Sequence, residues 1–255
     1  MIPWLERDDP FPPLASALKH PGGLLAAGAD LSPERLLSAY RRGIFPWYSE
    51  GEPILWWSPD PRLVLYPREF RIPRSLAKVI RRGDFTVSMD QVFQEVIGEC
   101  ARVRRESGEG TWIVPEMLEA YCGLYRAGFA HSVEVWREGR LAGGLYGVAI
   151  GRSFFGESMF TRVTNASKVA LAALVSHVQA LAFDLIDCQV TTGHLMRLGA
   201  REIPRKRYLE DLGRSVKGHS RPGSWAFDED AFSGALSERP DKAKRPKGSR
   251  GRGFA

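Results

Sequence analysis

The chain has 255 residues, 44% hydrophobic and 26% charged, a globular composition that excludes a wholly disordered or fibrous protein. Its formal net charge is +6, but residues 238–255 hold seven cations against two carboxylates and so carry +5 of it. The body is therefore near neutral, and bulk charge excludes nothing and supports nothing about nucleic acid; only local clusters can.

The Lys, Pro, Gly and Arg composition of that tail predicts a disordered, solubilising extension. Cys100, Cys122 and Cys188 lack metal-ligand spacing and predict buried thiols in a reducing compartment. No apolar stretch approaches the ~20 residues of a membrane span, so a cytoplasmic protein with no membrane contact is expected.

In chain order, residues 1–60 are dense in Pro, Gly and Trp. They contain one helix, expected over 32–42, which Ser32-Pro33-Glu34 opens and Gly43 stops. The aromatic run 44–61 reads as loop and short strand, and Pro59 and Pro61 mark a boundary. A small lid-like unit (1–60), a main domain (61–215) and a C-terminal extension (216–255) are the expected parts. A helix over 73–82 has Leu76, Val79 and Ile80 on one side and Arg74, Lys78, Arg81 and Arg82 on the other. Helices follow over 90–105 and 115–127.

From His131 the pattern alternates. HSVEVW, RLAGGLYGVAI and SFFGESMF, separated by Glu138-Gly139 and Gly151-Arg152, predict three antiparallel strands. Asn165 is the expected N-cap of an apolar helix over 166–182, and LIDCQV follows as a strand. The fold class is α/β in the α+β sense: a mixed sheet of the acyltransferase type rather than a doubly wound one.

Four constellations can carry chemistry. In LIDCQV, regular alternation places Leu185, Asp187 and Gln189 on one face, the last two roughly 6 to 7 Å apart as an acid/amide pair. A half-buried strand with a wet polar side fits that pattern too. In FFGESMF, Glu157 shares a face with Phe155 and Met159, and a carboxylate among aromatics takes a cationic partner or a raised pKa. The basic face of helix 73–82 repels itself unless an anion answers it, and a phosphate backbone would. Trp47, Tyr48, Trp56, Trp57 and Trp112 supply material for an apolar pocket. A fifth feature, Arg105 to Gly110, matches the R-x-x-G-x-G phosphate loop of coenzyme-A-dependent acyltransferases, but it follows a helix instead of opening one.

Residues 43–62, 110–117, 143–160, 165–168, 185–190 and 198–205, in that order, closely resemble the bacterial leucyl/phenylalanyl-tRNA protein transferase family. The resemblance spans about residues 3–212 and departs from the family at Gly193, Arg197 and the basic tail. It implies a small N-terminal domain joined to a C-terminal mixed-sheet domain resembling the GCN5-related acetyltransferase fold. It also implies transfer of Leu or Phe, with Met tolerated, from aminoacyl-tRNA to N-terminal Arg or Lys of proteins marked for degradation. No metal or organic cofactor is implied, and a monomer is the default.

Carried over by resemblance, the catalytic residues are Asp187, Gln189 and Glu157. Asp187 would attract the amine proton directly or through Gln189, Gln189 would orient the amine, and Glu157 would help hold the cationic acceptor residue. The donor side-chain pocket would be lined by Trp47, Trp112, Leu145, Phe154, Leu171, Leu174 and Ile186 with Tyr40 nearby. Arg74, Lys78, Arg81 and Arg82 would meet the tRNA acceptor end. The rival readings are a coenzyme-A-dependent N-acyltransferase and a non-catalytic RNA-binding module.

Overall fold

A computed structural model of the chain describes residues 2–108, 110–220 and 222–237. The basic tail expected at 238–255 lies outside the described residues.

Two sheets organise the molecule. The first is built from β1 (Trp4–Leu5), β2 (Leu24–Gly28), β3 (Phe45–Pro46) and β4 (Leu55–Trp57), in the order β1-β2-β4-β3. Helix α1 (Pro33–Arg41) crosses between β2 and β3; Ser32 Oγ accepts the Arg35 N–H and Pro33 occupies the first turn, where its missing N–H costs nothing. These short strands are hidden in sequence because their Pro and Gly content disguises any alternation.

The second sheet has seven strands in the order β11-β5-β10-β9-β8-β7-β6. They are β5 (Arg62–Leu65), β6 (Thr86–Met89), β7 (Ala130–Arg137), β8 (Arg140–Ile150), β9 (Ser153–Thr161), β10 (Leu185–Gln189) and β11 (Arg201–Ile203). The three predicted antiparallel strands are β7, β8 and β9. Glu138 and Gly139 both have positive φ (52° and 71°), the geometry that a two-residue hairpin needs to match strand twist. Within this sheet, among the described residues, only β9 and β10 pair in parallel, because α5 (Ala166–Ala180) carries the chain back across the sheet between them.

One face of this sheet is covered by α3 (Phe93–Glu106), α4 (Pro115–Arg126) and α7 (Arg205–Ser215), in a core shared with the first sheet. The other is covered by α2 (Arg74–Arg81), α5 and the C-terminal segment, where α8 (Glu229–Ser237) packs on α5. A short helix, α6 (Gly193–Arg197), lies between β10 and β11. Helix α5 is buried along both sides, as its nearly uniform apolarity requires. Asn165 occupies the N-cap position, as expected, but its side chain makes no capping hydrogen bond. Asn165 is left-handed (φ 75°) and its Oδ1 accepts from Lys168 Nζ, while Thr161 Oγ1 accepts the Ser167 N–H at 3.3 Å.

Two irregularities position the site. Across β8 and β9, Tyr146 pairs with Ser158 and Gly147 with Gly156, leaving Glu157 as an extra residue. Across β5 and β10, Val64 pairs with Asp187 and Leu63 with Gln189, leaving Cys188 extra. Bulges of this kind bend a strand and re-aim a side chain. The first needs Gly147, since a Cβ there would lie 2.2 Å from the Phe155 carbonyl oxygen. Parallel pairing of β9 with β10 stops at Phe155 and Asp187, whereas β9 continues beside β8 to Thr161. The sheet is therefore split beyond those residues, and the split is lined by Glu157 on one side and Gln189 on the other.

Candidate active site

The bulge overturns the predicted alternation of β9. Phe155 and Phe160 face the α3–α4 core while Phe154 and Met159 face α5, so Glu157 does not share a face with Met159. It turns toward α1 and α4 instead. Tyr40 of α1 donates its hydroxyl to Glu157 Oε1 at 2.7 Å, Tyr121 of α4 donates to Oε2 at 2.9 Å, and Gln189 Nε2 donates to Oε1 at 2.7 Å.

Burial pushes the Glu157 carboxyl up to about 7; the hydrogen bonds from Tyr40, Tyr121 and Gln189 pull the other way, and the negative charge of Asp187 adds to the rise. Every hydrogen-bond partner of Glu157 is neutral, so no countercharge offsets the desolvation of its anion. The cluster can hold the acid form. Tyr40 and Tyr121 hydroxyls also touch each other, and two phenolic protons cannot fill three oxygen–oxygen contacts. A proton on Glu157 completes the ring.

Asp187 has the reverse surroundings. It is fully buried, and Arg62 grips it in a fork, Nε to Oδ1 at 2.8 Å and Nη2 to Oδ2 at 2.6 Å. Tyr208 donates to Oδ2 at 2.6 Å and the Gln189 N–H donates to Oδ1 at 2.9 Å. The Arg62 guanidinium is sandwiched between Phe45 and Tyr208 rings at 4.7 and 4.8 Å. Burial alone would lower its pKa, but the Asp187 charge raises it well above the ordinary value, so it stays cationic. Asp187 lines neither cavity described below. The expected convergence of Asp187 and Gln189 side chains on one small group is not formed, because Asp187 spends Oδ1 on the backbone of Gln189. That bond holds Gln189 in its left-handed conformation, φ 61°, which points the amide at Glu157.

Two cavities meet here. The smaller, about 280 Å³, is lined by Leu145, Phe154, Met159, Leu171, Leu174, Ile186 and Leu195, and ends at Glu157 and Gln189. The larger is a cleft of about 900 Å³ lined by Trp47, Trp57, Trp112, Glu50, Glu52, Arg104 and Arg105 among others, and it ends at the same two residues. The single pocket expected from the sequence is thus two. Leu145, Phe154, Leu171, Leu174 and Ile186 belong to the apolar cavity, and Trp47 and Trp112 to the cleft. Tyr40 lines neither and instead fixes Glu157. Trp56 is wholly buried, its Nε1–H on the Gly28 carbonyl, and serves the core.

The cations of α2, Arg74, Lys78, Arg81 and Arg82, are all exposed, with Leu76 buried beneath them. Arg82 pairs with Asp84. Helix α2 packs against α5, which supplies Leu171 and Leu174, but none of the four cations lines either cavity. Arg62, Tyr121 and Tyr208 escaped sequence reasoning. Their partners are 125, 36 and 21 residues away, so no local pattern marks them. Among the described residues no group of three metal-ligating side chains lies together, and no helix is long and apolar enough to cross a membrane.

A split mixed sheet, with an apolar cavity ending at a near-neutral carboxyl and a wide cleft beyond it, is the site of a group-transfer enzyme. The chain belongs to the leucyl/phenylalanyl-tRNA protein transferase family. The family profile matches residues 64–213 and the profile of its N-terminal domain matches residues 29–60. A relative from Nitrosospira multiformis named leucyl/phenylalanyl-tRNA–protein transferase is 55% identical over 230 residues, 90% of this chain and 99% of the relative. One of the same name from Pseudomonas entomophila is 60% identical over 217 residues, 85% and 96% of the two chains. Among solved structures, a GCN5-related N-acetyltransferase from Kribbella flavida is similar at TM-score 0.32 and 12% identity, covering 67% of this chain and 60% of that one.

Proposed function

We propose that the protein transfers Leu or Phe, with Met tolerated, from aminoacyl-tRNA to the α-amine of N-terminal Arg or Lys of other proteins, marking them for degradation by the N-degron route. It acts as a cytoplasmic monomer built from an N-terminal unit (1–60), a catalytic domain (61–215) and a C-terminal extension. The observation that carries the reading is the junction of the two cavities at Glu157 and Gln189. The apolar one suits an unbranched-Cβ side chain, and the cleft has room for the ester's ribose and for the incoming amine.

In the reaction the acceptor nitrogen attacks the ester carbonyl carbon. A C–N bond forms, the C–O bond to the ribose breaks, the amine gives up a proton and the ribose oxygen gains one. The ester is already activated, so positioning supplies most of the rate. Glu157 receives the amine proton. A carboxyl at about 7 lies within roughly one unit of an α-amine at ~8, so the transfer is nearly balanced, whereas an ordinary carboxylate would lie more than three units below. Oε2 accepts only from Tyr121 and keeps a lone pair for that proton. Gln189, its Nε2 on Glu157, offers its carbonyl oxygen to the amine and orients it. Asp187 acts through Gln189 as a positioning residue.

With Glu157 committed to the proton, the carboxylates left to meet the acceptor's cationic side chain are Glu50 and Glu52 on the cleft. Arg74, Lys78, Arg81 and Arg82 meet the acceptor stem outside it. The test is transfer of labelled Leu or Phe from charged tRNA to a peptide beginning with Arg. Product on the α-amine is expected; a peptide left unmodified while the tRNA stays charged would overturn the reading.

A further inference from the structure

One wall of the apolar cavity is backed by a segment that does not enter it. Phe154 lines the cavity, and its ring crosses Gly147 of β8 so closely that a Cβ there would lie 2.6 Å from Phe154 Cζ. The same ring packs against the buried indole of Trp225, centroids 5.8 Å apart and planes inclined at 35°, within the range of a favourable aromatic pair. Trp225 also meets His177 at 4.7 Å, on the turn of α5 that follows Leu174. No described residue of 222–237 lines either cavity, so whatever Trp225 does to the donor it does through Phe154 and α5.

Trp225 is held in turn by a polar cluster that the transfer chemistry leaves unused. Asp90 is buried and left-handed, φ 56°. Its Oδ1 accepts the Ser132 N–H at 2.8 Å, and its Oδ2 accepts the Trp225 N–H at 2.6 Å and His131 Nδ1–H at 2.8 Å. The His131 ring, oriented by that bond, stacks on the indole at 3.8 Å and 6°. A buried carboxylate is tolerated only where donors fill its oxygens, and here one of the donors is a backbone amide 135 residues away. Beside it the Gly223 N–H reaches the Gly128 carbonyl at 3.2 Å, and a Cβ at Gly128 would lie 2.4 Å from that nitrogen. The segment so seated lies beyond residues 64–213, the part that the family profile matches.

We propose that Trp225 is a positioning residue for donor selection: it holds the Phe154 ring on Gly147, and so sets the width of the apolar cavity and the ratio in which Phe and Leu are transferred. The proposal rests on the transferase reading above and adds to it a determinant outside the cavity. A ring in a close-packed wall moves only as far as its neighbours allow. Removing the indole leaves a space behind Phe154 into which the ring retreats, and the cavity widens by the volume that the ring gives up. A wider cavity favours the larger donor, because a single methylene in an apolar pocket changes discrimination by roughly 10- to 200-fold.

The test is the ratio of kcat/KM for tRNA charged with Phe to that for tRNA charged with Leu, in Trp225→Leu and Trp225→Phe, with thermal unfolding followed in parallel. The ratio should rise roughly tenfold in Trp225→Leu and by less in Trp225→Phe, which keeps one ring in place. KM for the acceptor peptide should not move. In a Phe154→Leu background the same substitutions should change the ratio no further, since residues that act through one another are not additive. An unchanged ratio with a lowered unfolding temperature would make Trp225 an anchor of the fold alone, and a full change of ratio in the Phe154→Leu background would remove Phe154 as its intermediary; either overturns the proposal. Where Trp225→Leu does not fold, Trp225→Phe decides by the same two criteria. A wild-type protein that uses neither donor would overturn the transferase reading instead.

Discussion

Asp187 and Glu157 are buried carboxylates on adjacent strands, and their surroundings send them to different work. Asp187 meets a full countercharge in the Arg62 fork, with Tyr208 and a backbone amide filling the remaining positions. Glu157 meets phenols and an amide, and no cation. A countercharge and a full set of hydrogen-bond donors make Asp187 structural, while burial among neutral donors leaves Glu157 able to gain and lose a proton near 7. The difference originates in the backbone, where one bulge turns Glu157 out of its alternation into the split between β9 and β10.

The largest effect that can break this contrast is on rate. Glu157→Gln keeps the shape and the Tyr and Gln contacts but removes the proton acceptor, and transfer should fall by roughly 10²–10⁴-fold with thermal unfolding little changed. A variant that retains most of its rate would return the proton to another group. The next effect is on stability. Asp187→Ala leaves the Arg62 guanidinium buried and unpaired, which should cost about 3–5 kcal/mol in denaturant unfolding. A loss below about 1 kcal/mol, with activity abolished, would make Asp187 chemical rather than structural. A smaller effect sharpens the division between cavity and cleft. Leu174→Phe narrows the apolar cavity and should lower Phe transfer relative to Leu transfer by roughly tenfold, read as a ratio of kcat/KM; an unchanged ratio would place the donor side chain elsewhere.

Much of this was legible in the residues. Helix α5 announces itself by length and apolarity, and β7, β8 and β9 by alternation and by the Glu138-Gly139 turn. Glu157 stands out in the sequence because a carboxylate among aromatics is costly wherever it lies, but the pair read there was Asp187 with Gln189, whereas the Gln189 amide meets Glu157. Their geometry was not legible. Alternation assigns Glu157 to the side of Met159, and only the pairing of Tyr146 with Ser158 and of Gly147 with Gly156 reveals the extra residue. The fork from Arg62 was equally hidden. Arg62 follows a Pro-rich run that reads as linker, and its strand takes part in the sheet only because β10 and β11 flank it. Bulges and long-range partners are properties of paired strands, and a single strand read alone carries neither.

Protonation of Glu157 also leaves a mark on folding. Its folded-state pKa, about 7, lies above the ordinary carboxylate range, so the folded protein holds a proton that the unfolded chain releases. Stability from this group is present at acid pH and declines as pH rises from the ordinary range through about 7. Activity should move the other way, because the ionised form is the one that accepts a proton.

The single-turnover rate of Leu transfer from charged tRNA to an Arg-N-terminal peptide, measured against pH, tests the contrast most directly. The profile should rise with an apparent pKa of about 7, and should shift upward in Tyr40→Phe/Tyr121→Phe, since those hydroxyls favour the ionised carboxylate. A profile flat across that range, or one whose titration survives Glu157→Gln and disappears in Asp187→Asn, would contradict the assignment of the proton to Glu157.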